Sequence, residues 1–269
     1  MGVSPESPIV VLDSGLGGLT VVRALRAVLP HDDILYFGDT ARLPYGSKSA
    51  ATVTTFVRQI ITYLRPHRPK HVVIACNTAT ALALPELRGE FAGLSVSGVV
   101  EPGARAAVAA SRTRRIGVIG TVGTIKSGAY ERAIRALSPD VSILARACPL
   151  FVPLVEEGWI DHEATRLVAR EYLAPFVDAE IDTLVLGCTH YPLLAPLLGE
   201  LLGPDVRLID SAAETAAEAA RTLGTERMLA GGDEPTYRFV ASDDPLMFLQ
   251  LGQRFLGGAI EGVEIRTLG

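Results

Sequence analysis

Two segments of the chain share one pattern, in which an apolar run ends at a small residue and a cysteine. Residues 71–84 read HVVIACNTATALAL, and residues 183–194 read TLVLGCTHYPLL. In both, the apolar run is typical of a buried strand, and the small polar residues after Cys76 or Cys188 lead into helical apolar spacing. A thiol between a strand and a helix is a restrictive arrangement, and it occurs twice. We therefore expect the two thiols to face each other across one substrate.

Predicted strands and helices alternate along the whole chain. The first unit, PIVVLDSGLGGLTVVRALRAVL, is a strand, a glycine-rich turn and an amphipathic helix, as at the start of a doubly wound α/β domain. The segment IGVIGTVGT at 116–124 resembles IVVLDSGLG at 9–17, so the pattern restarts in a second half. We predict an α/β protein of two similar α/β domains with mostly parallel sheets and an active site in the cleft between them.

The predicted domain boundaries follow from where the pattern restarts. The first α/β domain takes residues 1–98 plus 211–269, and the second takes residues 99–210. Within them, residues 79–91 are predicted as one helix, and residues 148–158 as a proline-punctuated loop that ends in Glu156 and Glu157. Four histidines beside charges, prolines or turns are predicted at the surface: His31, His67, His71 and His162.

Composition excludes several classes of function. The chain has 269 residues, of which 48% are hydrophobic and 20% charged, and a net charge of −5 without a basic cluster, which argues against a nucleic-acid partner. No apolar run is long enough to span a membrane, and no secretion signal is visible. Three cysteines without zinc spacing predict neither a disulfide framework nor a metal site, and they favour a cytoplasmic location.

The paired thiols predict proton transfer to and from carbon. A strand-to-helix turn places Cys76 or Cys188 where the helix dipole would lower the thiol pKa, and cysteine titrates near enough to neutrality to act as acid or base. One thiolate would remove a proton from a carbon acid, and the other thiol would protonate the opposite face. Nearby, His190 can tune a thiol, and Asp13 ends the first strand, where open α/β sheets bind ligands.

Other interpretations remain open at this point. Buried cysteine is often only a small apolar residue, which is our interpretation of Cys148, and Asp13 could be only a helix N-cap. The chain could be a two-lobed amino-acid-binding protein without turnover, although no signal peptide is visible. It could also be a thiol-redox protein, although neither strand-end cysteine has a resolving partner nearby in the sequence.

Six motifs of this sequence resemble those of the Asp/Glu racemase family, whose members racemise amino acids without a cofactor. They agree in order and spacing over most of the chain: DSGLGGLTV (13–21), YFGDTARLPYGSKS (36–49), ACNTATA (75–81), IGVIGT (116–121), CPLFVPLVEEG (148–158) and GCTHYPLL (187–194). The PYG and CTHYP motifs favour the members of the family that act on glutamate. An aspartate racemase, or a related decarboxylase or isomerase, is the alternative within the family.

The resemblance implies residue roles as well as a reaction. It implies interconversion of L- and D-glutamate, which supplies D-glutamate for peptidoglycan, with no cofactor and no metal. Cys76 with Asp13 would serve the D-glutamate face, Cys188 with His190 would serve the L-glutamate face, and Glu156 would be a further acidic residue. The implied partner is this small molecule rather than nucleic acid or membrane, and a homodimer is compatible with the sequence. The expected substrate contacts are Asp13, Ser14, Tyr45, Gly46, Asn77, Thr78, Thr121, Thr124, Thr189 and His190.

Overall fold

The computed structural model describes residues 2–231 and 234–268. Its strands are β1 (Ile9–Asp13), β2 (Ile34–Gly38), β3 (His71–Ile74), β4 (Val96–Gly98), β5 (Arg115–Gly120), β6 (Ser142–Ala147), β7 (Thr183–Gly187), β8 (Arg207–Ile209), β9 (Tyr237–Ala241) and β10 (Glu264–Ile265). Its α-helices are α1 (Leu19–Val28), α2 (Ala50–Leu64), α3 (Asn77–Leu82), α4 (Leu84–Glu90), α5 (Val100–Ala110), α6 (Val122–Lys126), α7 (Ala129–Leu137), α8 (Phe151–Glu156), α9 (Glu163–Asp178), α10 (Ala195–Leu202), α11 (Ser211–Thr225) and α12 (Pro245–Leu256).

The strands form two parallel sheets, which confirms the predicted α/β class. The larger sheet has the order β10-β9-β2-β1-β3-β4, and the smaller has the order β6-β5-β7-β8. The order β2-β1-β3-β4 in the larger sheet is repeated by β6-β5-β7-β8, so the two halves are built alike. The strands of the larger sheet lie within 9–98 and 237–265, and those of the smaller within 115–209. The domain boundaries at 98/99 and 210/211 themselves stay a prediction.

Alternating side chains of the central strands build separate cores on the two faces of the larger sheet. Ile9 and Val11 of β1 face one apolar cluster, whereas Val10 and Leu12 face another, as the two-residue period of a strand requires. The first cluster continues into the smaller sheet through Leu186. This shared core joins the halves and holds the carboxyl ends of both sheets near each other.

Two local predictions were wrong. The helix predicted over 79–91 is broken into α3 and α4 at Ala83, because Pro85 lacks an N–H and would clash with the carbonyl of the preceding turn. The loop predicted over 148–158 contains α8, in which Pro153 lies in the first turn, where a missing N–H costs no intrahelical hydrogen bond. Glu156 is therefore the last residue of a helix rather than part of a loop.

His71 is also placed differently from its prediction. It begins β3, between β1 and β4, and it is only 2% exposed. Its ring nitrogens lie 2.9 Å from Ser95 Oγ and 2.8 Å from Ser97 Oγ. Burial lowers its pKa to about 4, so the ring is neutral at neutral pH.

The described helices include no candidate membrane span. None of the helices within 2–231 and 234–268 combines the length and apolar character needed to cross a bilayer.

Candidate active site

The cysteines of the two repeated segments open onto one small cavity at the carboxyl ends of both sheets. Cys76 follows β3 and Cys188 follows β7, and these are the equivalent third strands of the two halves. The cavity measures about 20 Å³, which is room for about one water molecule. Predicted site residues that line it are Ser14, Tyr45, Gly46, Cys76, Asn77, Thr78, Thr121, Glu156, Cys188, Thr189 and His190.

The remaining predicted residues lie behind this wall. Asp13 is fully buried beneath the cavity, and Thr124 is buried beside Thr121. Residues that sequence reasoning missed complete the lining: Gly15, Leu43, Pro44 and Val152. All four lie within quoted motifs, but glycine and apolar side chains carry no chemical signal that marks them as site residues.

Cys76 lies at the N-terminus of α3, as predicted, but its pKa changes in the other direction. Its Sγ accepts a hydrogen bond from the Ala79 N–H at 3.4 Å. Burial and, to a smaller extent, the charge of Asp13 raise the pKa of Cys76 to about 12, and hydrogen bonds from Ser14 and Ala79 only partly oppose them. The start of α3 acts in the predicted direction through the Ala79 N–H, but burial and the Asp13 charge outweigh it, so the net change is opposite to the expected one.

Asp13 is a buried carboxyl with one free oxygen. Its Oδ2 accepts from the Gly15 N–H at 3.0 Å, whereas its Oδ1 has no hydrogen-bond partner in the described structure. Burial raises its pKa, and the charge of His190 and the backbone amides of the following turn act against this. The N-cap of α1 is Gly18, so Asp13 does not cap that helix.

The Cys188 side is organised differently. Cys188 leads into a turn and a short 3-10 helix at Tyr191–Leu194 before α10 begins, so it is not an α-helix N-cap. Its Sγ lies 3.9 Å from His190 Nδ1, and His190 Nε2 lies 3.1 Å from Glu156 Oε1. The ring of Phe255, which sequence reasoning missed, meets His190 edge-on at 5.1 Å between centroids.

The imidazole of His190 is held in its charged form. Burial alone would lower its pKa, but hydrogen bonds and charge interactions with Cys188 and Glu156 outweigh burial and raise it to about 10. Cys188, His190 and Glu156 thus form a line of acid–base groups on one side of the cavity. Asp13 and Cys76 form a second, distinct pair on the other side.

Neutral donors fill the rest of the site. Asn77 accepts a hydrogen bond from the Tyr130 hydroxyl at 2.6 Å, and its Nδ2 has no partner among the described residues. The hydroxyl of Thr78 lies 2.8 Å from that of Thr121 and 3.2 Å from that of Thr124, and these contacts join the two halves. In the described part of the chain, no lysine or arginine lines this cavity. Such amide and hydroxyl groups suit the carboxylates of a small substrate.

The described residues include no candidate metal site. Within 2–231 and 234–268, histidine, cysteine and acidic side chains form no group of three that could hold a metal ion.

The chain is similar to known racemases over nearly its whole length. The Asp/Glu/hydantoin racemase family matches residues 19–219. A glutamate racemase of Neisseria meningitidis is 50% identical over 99% of both chains. The structure of a Bacillus anthracis glutamate racemase matches with a TM-score of 0.94 and 40% identity over 98% of both chains. A Francisella tularensis glutamate racemase in complex with D-glutamate matches with a TM-score of 0.93, 38% identity and the same coverage.

The sheets, the paired thiols and these similarities define an isomerase of the Asp/Glu/hydantoin racemase family, to which this chain belongs. Within that family it is a member of the glutamate racemases. The family membership inferred from the six motifs is thereby confirmed.

Proposed function

We propose that this chain interconverts L- and D-glutamate by a two-base mechanism that uses Cys76 and Cys188 and no cofactor. The observation that carries the proposal is the placement of two thiols after equivalent strands of the two sheets, on one cavity, with a separate acid–base group beside each. Similarity to a racemase that was solved with D-glutamate supports the choice of substrate.

The proposed reaction moves two protons and leaves every other bond intact. A thiolate on one face takes the α-proton, and the electron pair of the broken C–H bond delocalises into the adjacent carboxylate. The thiol on the other face then donates its proton to the α-carbon, which inverts the configuration. Cys76 would exchange the proton of D-glutamate with help from Asp13. Cys188 would exchange that of L-glutamate with help from His190, which Glu156 orients and keeps protonated.

The wall of the cavity suits the two substrate carboxylates. Asn77 offers an unpaired amide N–H₂, and hydroxyl groups of both halves surround it. The proposed binding residues are Asp13, Ser14, Tyr45, Gly46, Asn77, Thr78, Thr121, Thr124, Thr189 and His190. Because the cavity holds about one water, the halves would have to separate before glutamate could enter and close again to exclude water.

Within a cell, the proposed role is supply of D-glutamate for peptidoglycan. Family membership and the proposed substrate support this role. A cytoplasmic location and a homodimer stay predictions from the sequence.

Racemisation without added cofactor tests the proposal. Circular dichroism should follow conversion of both glutamate enantiomers but not of L-aspartate, and in heavy water each enantiomer should acquire one solvent deuteron at Cα. Replacement of Cys76→Ala or Cys188→Ala should lower the rate by at least about a thousandfold, because each removes a proton-transfer group. The buried thiol of Cys148 is the matched control, and Cys148→Ala should stay active. An inert Cα–H in the wild-type protein would refute the racemase, and full activity of either strand-end variant would refute the two-base mechanism.

A further inference from the structure

A third carboxylate at the end of the larger sheet has no part in the proposed mechanism. Asp39 directly follows β2, as Asp13 ends the neighbouring β1, and its side chain is completely buried. Its N–H donates to the Asp13 carbonyl at 3.0 Å, so the two residues lie side by side. Asp39 does not line the cavity.

Three donors satisfy the Asp39 carboxylate. Its Oδ2 accepts from Arg42 Nε at 2.7 Å and from the Tyr45 hydroxyl, and its Oδ1 accepts from the Ser242 hydroxyl at 2.9 Å. Charge-assisted hydrogen bonds of this kind are about twice as strong as neutral ones. Asp39 therefore ties residues 42 and 45 to a segment that lies two hundred residues further along the chain.

The hydrogen bond from Tyr45 to Asp39 limits the role of the Tyr45 hydroxyl in the site. Tyr45 lines the cavity, but a phenol has a single proton, and here it is donated to Asp39. The ring itself is only 1% exposed and packs on Phe56 at 5.6 Å between centroids. Tyr45 is thus held from behind, and its hydroxyl is not available to donate to a substrate.

The loop of residues 43–46 touches the opposite half of the molecule. Leu43, Pro44, Tyr45 and Gly46 all line the cavity. Gly46 lies so close to Thr121 that a Cβ on Gly46 would be 2.6 Å from the Thr121 Cβ. The position of this loop therefore sets the width of the cavity where Gly46 of one half meets Thr121 of the other.

A second anchor of the same loop comes from the end of β9. The Ser242 hydroxyl, which donates to Asp39, also accepts from the Ala41 N–H at 2.8 Å, and the Asp243 N–H donates to the Thr40 hydroxyl at 2.8 Å. The loop entrance is thus fixed before the chain reaches Tyr45. Asp39 is the group that joins both anchors.

We propose that Asp39 is a positioning residue: by accepting a hydrogen bond from the Tyr45 hydroxyl, it holds the substrate-facing loop of residues 43–46 in place. The inference rests on the proposed function for what the loop binds. Because L- and D-glutamate have equal free energies, kcat/KM must change by the same factor in both directions, so a displaced loop that weakens binding raises both KM values alike. Loss of a contact that stabilises the bound substrate and the transition state equally raises KM and leaves kcat nearly unchanged.

The test compares Tyr45→Phe and Asp39→Asn with Tyr191→Phe. Tyr191 is an equally buried tyrosine whose hydroxyl donates to the Cys148 carbonyl at 2.8 Å, away from the loop, so its variant matches the chemistry of Tyr45→Phe. We expect KM for L- and D-glutamate to rise by the same factor of about tenfold in the first two variants, with kcat within about threefold of wild type. KM should stay unchanged in Tyr191→Phe.

Hydrogen–deuterium exchange of the ligand-free protein gives a second readout that needs no turnover. Amides of residues 43–48 should exchange faster in Tyr45→Phe and Asp39→Asn than in wild type, and not in Tyr191→Phe. Should Asp39→Asn not fold, Tyr45→Phe alone decides, since it leaves the carboxylate and its other two donors in place.

Unchanged KM and unchanged exchange in Tyr45→Phe would overturn the inference, and so would equal effects in Tyr191→Phe. A wild-type protein that does not racemise glutamate would refute the proposed function instead. Faster loop exchange would still support the positioning role in that case.

Discussion

At the scale of single residues, His190 has two neighbours that both favour its charged form. The Cys188 sulfur and the Glu156 carboxylate flank its two ring nitrogens, and its pKa rises from 6.5 to about 10. A folded-state pKa above the unfolded value stabilises the fold fully below about pH 6.5, and this contribution is lost as the pH rises through 10. The same proton is the one that the proposed mechanism keeps beside Cys188.

Replacement of Glu156→Gln should lower the pKa of His190 toward its usual range, because an amide retains the hydrogen bond but removes the negative charge. Nitrogen NMR of the labelled ring, assigned with His190→Gln, measures this pKa directly. Glu157→Gln, which changes the adjacent exposed carboxylate, is the control and should leave the titration in place. An unchanged pKa in Glu156→Gln would show that the carboxylate does not hold the proton on His190.

Residue chemistry was predictable where it follows from the local sequence. The strand-end positions of Cys76, Cys188 and Asp13 are visible as apolar runs that stop at a polar or small residue. The raised pKa of Cys76 and the contact of Phe255 with His190 were not predictable, since both depend on packing between segments distant in the chain. Asp39 could have been noticed, because it comes directly after the apolar run ILYFG, just as Asp13 comes directly after IVVL.

At the scale of elements, β3 places buried side chains with different roles at its two ends. Its carboxyl end delivers Cys76 to the cavity, and its first residue, His71, is buried at the far end between Ser95 and Ser97. The folded-state pKa of about 4 lies below the usual 6.5, so His71 contributes stability above about pH 6.5 that is lost as the pH falls toward 4. This sign is opposite to that of His190.

Acid destabilisation should therefore be smaller in His71→Gln. Between neutral pH and about pH 4.5 the histidine of the unfolded chain binds a proton that the buried ring does not, which lowers the free energy of unfolding of the wild type by about 2 kcal/mol, and glutamine cannot bind that proton. Urea denaturation at both pH values measures the difference. The exposed His31 provides the control variant His31→Gln, and the result is refuted if His71→Gln loses as much free energy of unfolding as wild type.

Element existence was easier to predict than element boundaries. Alternation of strand and helix patterns gave the parallel sheets, because both periods are local properties of the sequence. Both wrongly predicted segments contain a proline. Both prolines lie in the first turn of a helix: Pro85 starts a new helix inside a segment predicted as one helix, and Pro153 lies in a helix within a segment predicted as a loop.

At the scale of the whole molecule, the two halves approach so closely that glycine is required between them. Gly17 follows β1, and a Cβ on it would lie 2.1 Å from Thr189 Oγ1 and 2.8 Å from His190 Nδ1 in the other half. Only a residue without a side chain permits this approach. The contact closes the cavity on the Cys188 side, as the contact of Gly46 with Thr121 closes it on another.

Replacement of Gly17→Ala should hold the halves apart and lower kcat/KM by about a hundredfold, because small displacements of reacting groups cost about that much. The melting temperature without ligand should change little, since the added methyl group can be accommodated by opening the cleft. Gly93→Ala is the control, as a Cβ there meets no atom within 4 Å. Wild-type kinetics in Gly17→Ala would show that this close contact is not part of the working conformation.

The burial of both thiols has a consequence for the free protein between turnovers. Cys76 is 6% exposed and Cys188 is 7% exposed, around a cavity with room for about one water. In the proposed reaction every conversion ends with the mobile proton on the sulfur that lacked it at the start. The unliganded protein therefore has two tautomers, one ready for each enantiomer. Net flux in one direction requires the spent tautomer to revert, and the proton can return through Asp13 and His190 or through water that enters when the halves separate. Under the proposed mechanism, this reversion would limit one-way flux once the substrate concentration is high enough for binding to outpace it.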